Sequence, residues 1–327
     1  MYYSFINLLK AFAAVMITNS HMGDLYPLSF LSVGGAIGNT IFFLVSGFCI
    51  SNRIMGGGWS IWLFERIKRV YVPTLFIGGI LILIGDIPLD FKSIFDSIIF
   101  PIRFWFVVAI LLYYIILLPV SRCNMKSLKC ILFFSVLLYG IAYIFVLNKN
   151  RWEVEDGWFK YIFYFIPFLI GYMIKCNRKN IEYKICTKSK MFLLLSVISA
   201  LMYILSRLLI MVSPSVMKLQ FIVQIMTLLT GLFIFLFTYS IERSILTSHI
   251  LIGVKPVIDK IANSTLEIYL VNVACIERLA GIQFPINVML AFVVVFVVGT
   301  IMHNLIHDVT DRIHCKWIFP FLLDLCW

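Results

Sequence analysis

Apolar runs close to the length of a membrane span recur along the whole 327-residue chain, separated by short connections rich in lysine and arginine. A bilayer core about 30 Å thick takes about 20 helical residues to cross. Within lipid every backbone amide must be satisfied, which leaves helices or closed barrels as the spanning structures. The runs are continuous rather than alternating, so they read as helices and not as strands of a β-barrel. A composition of 62% hydrophobic and 13% charged residues, with a mean hydropathy of +1.00, does not fit a soluble globular domain. Ten spans are expected, over 5–22, 34–52, 71–86, 104–120, 130–147, 159–175, 191–212, 219–241, 264–281 and 285–305. The third is short and is expected to kink at Pro73 or at Gly78 and Gly79. The expected fold class is all-α and polytopic, with 1–327 as a single membrane-embedded domain and no separate soluble one. No internal repeat stands out. No cleavable signal peptide is expected, because the first run lacks a basic start and carries Lys10.

Basic residues in the connections orient the chain. With the N-terminus inside, the inner connections hold Lys and Arg in an excess of about three to one. The segment 175–190 is the most basic of them. This places both termini in the cytoplasm. The net charge of +11 is then a topology signal and not a nucleic-acid footprint, since no soluble basic face exists to carry it. Most cysteines, among them Cys123, Cys176, Cys186, Cys315 and Cys326, fall near inner connections or the inner tail, where thiols stay reduced. No disulfide is expected, and no Cys/His metal spacing is present.

Ionisable groups inside spans are expensive and point to function. In "KAFAAVMITNSH", Lys10 and His21 are eleven residues apart. On a helix that is about 16 Å along the axis and nearly a whole number of turns, so both face the same way. Ala14 and Ile17 lie between them on that stripe. A neutral imidazole can accept a proton from a hydroxyl, and Asn19, Ser20 and Asp24 are near enough in sequence to orient it. The plain alternative is an interfacial histidine and a snorkelling lysine. In "FFLVSGF", Ser46 and Gly47 allow close helix packing, and the serine can also hydrogen-bond a threaded ligand. In "ERIKRVYVP", Arg66 and Arg69 share a helix face, which suits either a phosphate ligand or anchoring to lipid headgroups.

Taken in order, these features resemble acyltransferase family 3, the integral membrane acyltransferases that modify cell-surface glycans and similar acceptors. The resemblance rests on a basic residue, ten intervening residues and then histidine (Lys10, His21), on Ser46-Gly47-Phe48, and on Arg66-x-x-Arg69 just before a span. "FWFVVAILLYY" from Phe104 and "IANSTLEIYLVN" from Ile261 resemble two later family segments. The resemblance implies acetyl-CoA or another acyl-CoA as donor on the cytoplasmic side. It implies His21 as the catalytic group and Lys10, Ser46, Arg66 and Arg69 as donor-binding residues, with Trp105 and Asn272 positioning substrate. It also implies a saccharide or glycolipid acceptor, no metal, and a bacterial cytoplasmic (inner) membrane as the setting. One departure is clear. Many relatives carry histidine two residues after Tyr-Leu, and this chain has Asn272, which cannot take a proton near neutral pH.

Other charges read less sharply. His303 and His307 sit at i and i+4 before Asp308, and interfacial packing is expected of them rather than a metal site. Glu267 is expected to pair with Lys10 on the inner side, and Arg278 lies eleven residues further on. Arg207 is expected to snorkel or meet an anionic acceptor, and Glu153, Glu155 and Asp156 to be solvated. A transporter of a sugar, lipid or organic anion is the competing reading, since many spans and intramembrane charges fit it too. A non-catalytic glycan sensor is the third, with Asn272 as its support. The two basic pairs favour the transferase, because a transporter has no general need of them.

Overall fold

The computed structural model describes residues 4–50, 58–99, 101–145, 157–242 and 249–314. Among them the chain is mostly helical, with no strand. The helices are α1 (Ser4–Ser20), α2 (Gly35–Phe48), α3 (Trp59–Leu83), the short α4 (Phe91–Ile94), α5 (Trp105–Val120), α6 (Met125–Phe145) and α7 (Phe159–Cys176). They continue with α8 (Arg178–Cys186), α9 (Ser189–Val212), α10 (Gln220–Ser240), α11 (His249–Asn263), α12 (Thr265–Glu277) and α13 (Ile286–His314). Each expected span coincides with one of these helices. Among the described residues six stretches are long and apolar enough to cross a membrane: Ser29–Phe48, Met125–Phe145, Phe159–Cys176, Ser189–Val212, Ser215–Ser240 and Ile286–Val309. The rest fall short for physical reasons. Helices α1, α5 and α12 have 17, 16 and 13 residues, and α3 carries Glu65, Arg66, Lys68 and Arg69.

Helix α3 differs most from expectation. It begins at Trp59, twelve residues before the expected start, and runs through Pro73 as one helix of 25 residues. Arg66 and Arg69 therefore lie within it, not before it. Proline at 73 cannot donate to the Arg69 carbonyl. One residue on, the Thr74 hydroxyl donates to the Val70 carbonyl at 2.9 Å.

Helix α2 is the hub, packing against α1, α7 and α10. Small residues make the approaches close, as expected where no hydrophobic effect drives helices together in lipid. A Cβ on Gly47 would stand 1.9 Å from the Phe168 carbonyl oxygen of α7, and one on Gly171 would stand 2.0 Å from the Leu44 carbonyl oxygen of α2. This reciprocal contact leaves no room for a methyl group on either helix. Gly38 lets α2 approach the Ala13 carbonyl of α1, and Gly299 lets α13 approach the Ile268 backbone of α12. Beyond Gly47, Phe48 packs edge-on against Phe5 at 5.6 Å and Phe235 at 5.6 Å, tying α1, α2 and α10 at one end.

Large apolar side chains remain on the outside of the bundle, including Phe133, Leu137 and Ile141 on α6, Leu194, Val197 and Leu201 on α9, and Val293, Val297 and Ile301 on α13. Their three- and four-residue spacing gives continuous apolar faces. Faces of this extent suit hydrocarbon and not water. The acidic run Glu153, Glu155 and Asp156 lies outside the described residues, as do Cys315 and Cys326.

Candidate functional site

A cavity of about 760 Å³ opens among α1, α2, α3, α5, α11, α12 and α13. Lys10 of α1, Ser46 of α2, and Arg66 and Arg69 of α3 all line it. Residues from three separate segments of the sequence thus meet at one cavity, and each is aimed there by its helix. The Gly47 contact with α7 fixes the rotation of α2 and turns Ser46, one residue back, toward the cavity. The 3.6-residue period of α3 puts Arg66, Arg69, Val70 and Pro73 on the cavity face. Arg66 is half-buried, lies 5.7 Å from the centre of the Trp62 ring one turn earlier, and reaches the Cys49 carbonyl at the end of α2.

Sequence reasoning did not bring three further lining residues to the site. Glu267 of α12 and His303 and His307 of α13 line the same cavity. The buried Glu267 carboxylate meets His303 Nδ1 at 3.1 Å. This replaces the expected pairing of Glu267 with Lys10, although both face the cavity. A signal was present, because Glu267 and His303 are both ionisable groups inside apolar runs, but nothing in the spacing of two separate helices says they touch. Phe42, Phe106, Ile110 and Tyr114 supply apolar and aromatic wall. The lining is mixed, with Lys10, Arg66, Lys68 and Arg69 against Glu65 and Glu267. The size lies within the usual range for small-molecule sites.

Beyond the cavity, a constriction of about 10 Å³ is lined by Ala14, Ile17 and Thr18 of α1, Phe42 of α2, Phe106 of α5, and Thr265, Ile268, Tyr269 and Asn272 of α12. Phe42, Phe106 and Thr265 border both spaces. The stripe expected on α1 therefore borders both spaces over its Lys10, Ala14 and Ile17 positions. Lys10 faces the cavity, Ala14 and Ile17 face the constriction, and His21 follows the last residue of the helix.

His21 is exposed in the turn after α1, with its amide bonded to the Thr18 carbonyl at 3.1 Å. It borders neither the cavity nor the constriction. The residues expected to orient it are engaged elsewhere. Asn19 donates to the Leu31 and Val33 carbonyls at 2.9 and 3.0 Å and accepts from the Tyr26 hydroxyl at 2.6 Å. Ser20 bonds back to the Ile17 carbonyl, and Asp24 is exposed in a short 3₁₀ turn. Together with Asn287, which donates to the Leu25 carbonyl at 2.8 Å, Asn19 holds the loop 23–33 over the end of the helix beside His21.

Trp105 is not brought to the site. Its ring packs against Tyr164 at 5.4 Å, with the Lys160 ammonium 4.9 Å from the ring centre. Its neighbour Phe106 takes the wall position instead. Asn272 reaches the constriction but not the cavity. Arg278 leaves the site altogether, forming a two-pronged bond to Asp86 at 2.8 and 2.9 Å, and Arg207 bonds the Tyr203 hydroxyl on its own helix at 3.1 Å. No group of three or more His, Cys, Asp or Glu capable of holding a metal occurs among the described residues.

No curated protein and no solved structure matches this chain. A family model described as the acyltransferase domain, that of acyltransferase family 3, matches residues 3–303, nearly the whole length. With its apolar helices and an interior cavity collecting the family-like basic and serine residues, the chain belongs to the membrane acyltransferases of that family.

Proposed function

We propose that the protein moves an acyl group, most simply acetyl, from a cytoplasmic acyl-CoA to a hydroxyl of a cell-surface or lipid-linked saccharide. The observation that carries this reading is the meeting of Lys10, Ser46, Arg66 and Arg69 on one cavity, at the start of a track that runs along α1 toward His21. The nucleotide end of an acyl-CoA is polyanionic and too costly to bury in lipid. Two guanidinium forks and an ammonium at the cavity match its phosphates. The arm that carries the thioester is long and thin, and the roughly 16 Å from Lys10 to His21 along the helix is of the order it must cover.

At the far end His21 acts as general base. The acceptor hydroxyl adds to the thioester carbonyl while the imidazole takes its proton. The carbon–sulfur bond then breaks, and the thiolate leaves with the bonding electrons and receives the proton from the imidazolium. The exposure of His21 suits an acceptor arriving from the side opposite the cavity mouth.

Radiolabelled acetyl-CoA added to inverted membrane vesicles, with wild type or His21→Ala at matched abundance, tests the reading. Label is expected in the lipid and glycan fraction with wild type, and a fall of roughly 10²-fold or more with the variant. Equal transfer by the variant would remove His21 as the base. No transfer by wild type would remove acyl-CoA as the donor and favour transport of a sugar or organic anion.

A further inference from the structure

Along the track, the constriction contains polar atoms that nothing in the protein completes. Asn272 is fully buried, yet neither its Oδ1 nor its Nδ2 has a partner. Thr18 is fully buried, and its hydroxyl has none either. Thr18 is unusual in this respect. Thr40, Thr74, Thr227, Thr238 and Thr300 each donate to the carbonyl one turn back, and Thr265, their neighbour at the constriction, donates to Ala262. Thr230 also lacks a partner but is not at the constriction. Buried amides and hydroxyls without partners are costly, so three such atoms around one narrow passage mark a place where something else supplies the bonds.

The surroundings limit what that is. No charged side chain borders the constriction, and Ala14, Ile17, Phe42, Phe106 and Ile268 make most of its wall. A phosphate or a free carboxylate is therefore disfavoured there. A neutral group with both a donor and an acceptor fits, provided apolar segments flank it. A trans secondary amide is such a group. Its N–H and C=O point in opposite directions, so two partners on two helices suit it better than one. Asn272 on α12 and Thr18 on α1 can each donate or accept.

We infer that Thr18 and Asn272 form a station that reads a backbone amide of the donor's pantetheine arm as the arm passes from the cavity to His21. The inference rests on the acyl-CoA reading above and adds to it a determinant of donor specificity. Asn272, lacking the proton chemistry of histidine, acts here by hydrogen bonding alone. At about 10 Å³ the space is of the size of about one water molecule, so passage of the arm requires the side chains around it to move apart.

The test compares acetyl-CoA with an analogue in which both arm amides are replaced by methylene pairs, measuring kcat/KM for transfer in wild type, Thr18→Val and Asn272→Leu. A site built to bond a polar group rejects the analogue that lacks it. Wild type is expected to prefer acetyl-CoA by roughly tenfold or more, and each variant to lose about tenfold of that preference. The loss should come from a slower rate with acetyl-CoA and not from a changed rate with the analogue. Inhibition by the 3′-phospho-ADP fragment of the donor should be unaltered, which a merely misfolded variant would not preserve. Should Asn272→Leu fail to fold, the nearly isosteric Thr18→Val carries the comparison. An unchanged preference in a folded variant overturns the station and leaves the donor reading intact, the expected outcome if Asn272 and Thr18 hold only a fixed water. Failure of wild type to use acetyl-CoA overturns both.

Discussion

At the scale of single residues, the two arginines of α3 do different work despite sharing a face. Arg66 is half-buried, faces the Trp62 ring, and reaches across to Cys49, whereas Arg69 is exposed at the cavity. Both are assigned to donor phosphates, so their loss should weaken donor binding more than the chemical step. Arg66→Ala and Arg69→Ala are each expected to raise the donor KM roughly tenfold or more at nearly constant kcat, measured as initial rates over a donor series. Arg66→Lys should recover only part of this, because an ammonium keeps the charge without the fork. A fall in kcat at unchanged KM would place the arginines at the reacting centre instead. The sequence made these side chains legible, because an ionisable group in an apolar run stands out against its neighbours. It made their partners illegible. Asn19 and Ser20 are close to His21 along the chain, yet backbone carbonyls and Tyr26 claim their polar atoms. Trp105 shows the same limit, since a one-residue step along α5 decides whether a ring packs against Tyr164 or borders the cavity, and Phe106 holds the cavity position.

At the scale of elements, the glycines of α2 determine where Ser46 points. The Gly47 and Gly171 contact is backbone against backbone, so an added methyl group cannot be absorbed by turning a side chain. Gly47→Ala is expected to destabilise the protein by about 1–3 kcal/mol through overpacking, and to reduce transfer by rotating Ser46 away from the cavity. Gly140 of α6 is the matching control, because nothing lies within 4 Å of the position its Cβ would take. Gly140→Ala should be neutral or stabilise by up to about 1 kcal/mol, since alanine is the better helix former. Thermal melting of the detergent-solubilised variants distinguishes the two, and equal melting temperatures would contradict the proposed packing. Helices were readable from apolar runs because lipid demands them, and the ten expected segments fall on ten helices. The start of α3 was not readable. Its first three turns carry Glu65, Arg66, Lys68 and Arg69, which lower the hydropathy, while an internal polar cavity makes those same charges tolerable in a helix.

At the scale of the whole molecule, the cavity is a property of no single helix. Seven helices contribute to it, and the part bearing Glu267 and His303 became visible only when α12 and α13 were seen to pack together. Folding brings a basic cavity next to a narrow neutral space, and His21 stands beyond the end of the helix that borders both. Under the proposed function the donor enters at the cavity and the acyl group emerges near His21. The most direct measurement of that claim uses sealed vesicles of both orientations and acetyl-CoA, whose charge keeps it from crossing the bilayer. Label should enter the glycan and lipid fraction in inverted vesicles, where the cytoplasmic face is outward, and should appear in right-side-out vesicles only after they are permeabilised. Equal labelling of intact right-side-out vesicles would put the donor on the His21 side and contradict the track from Lys10 to His21.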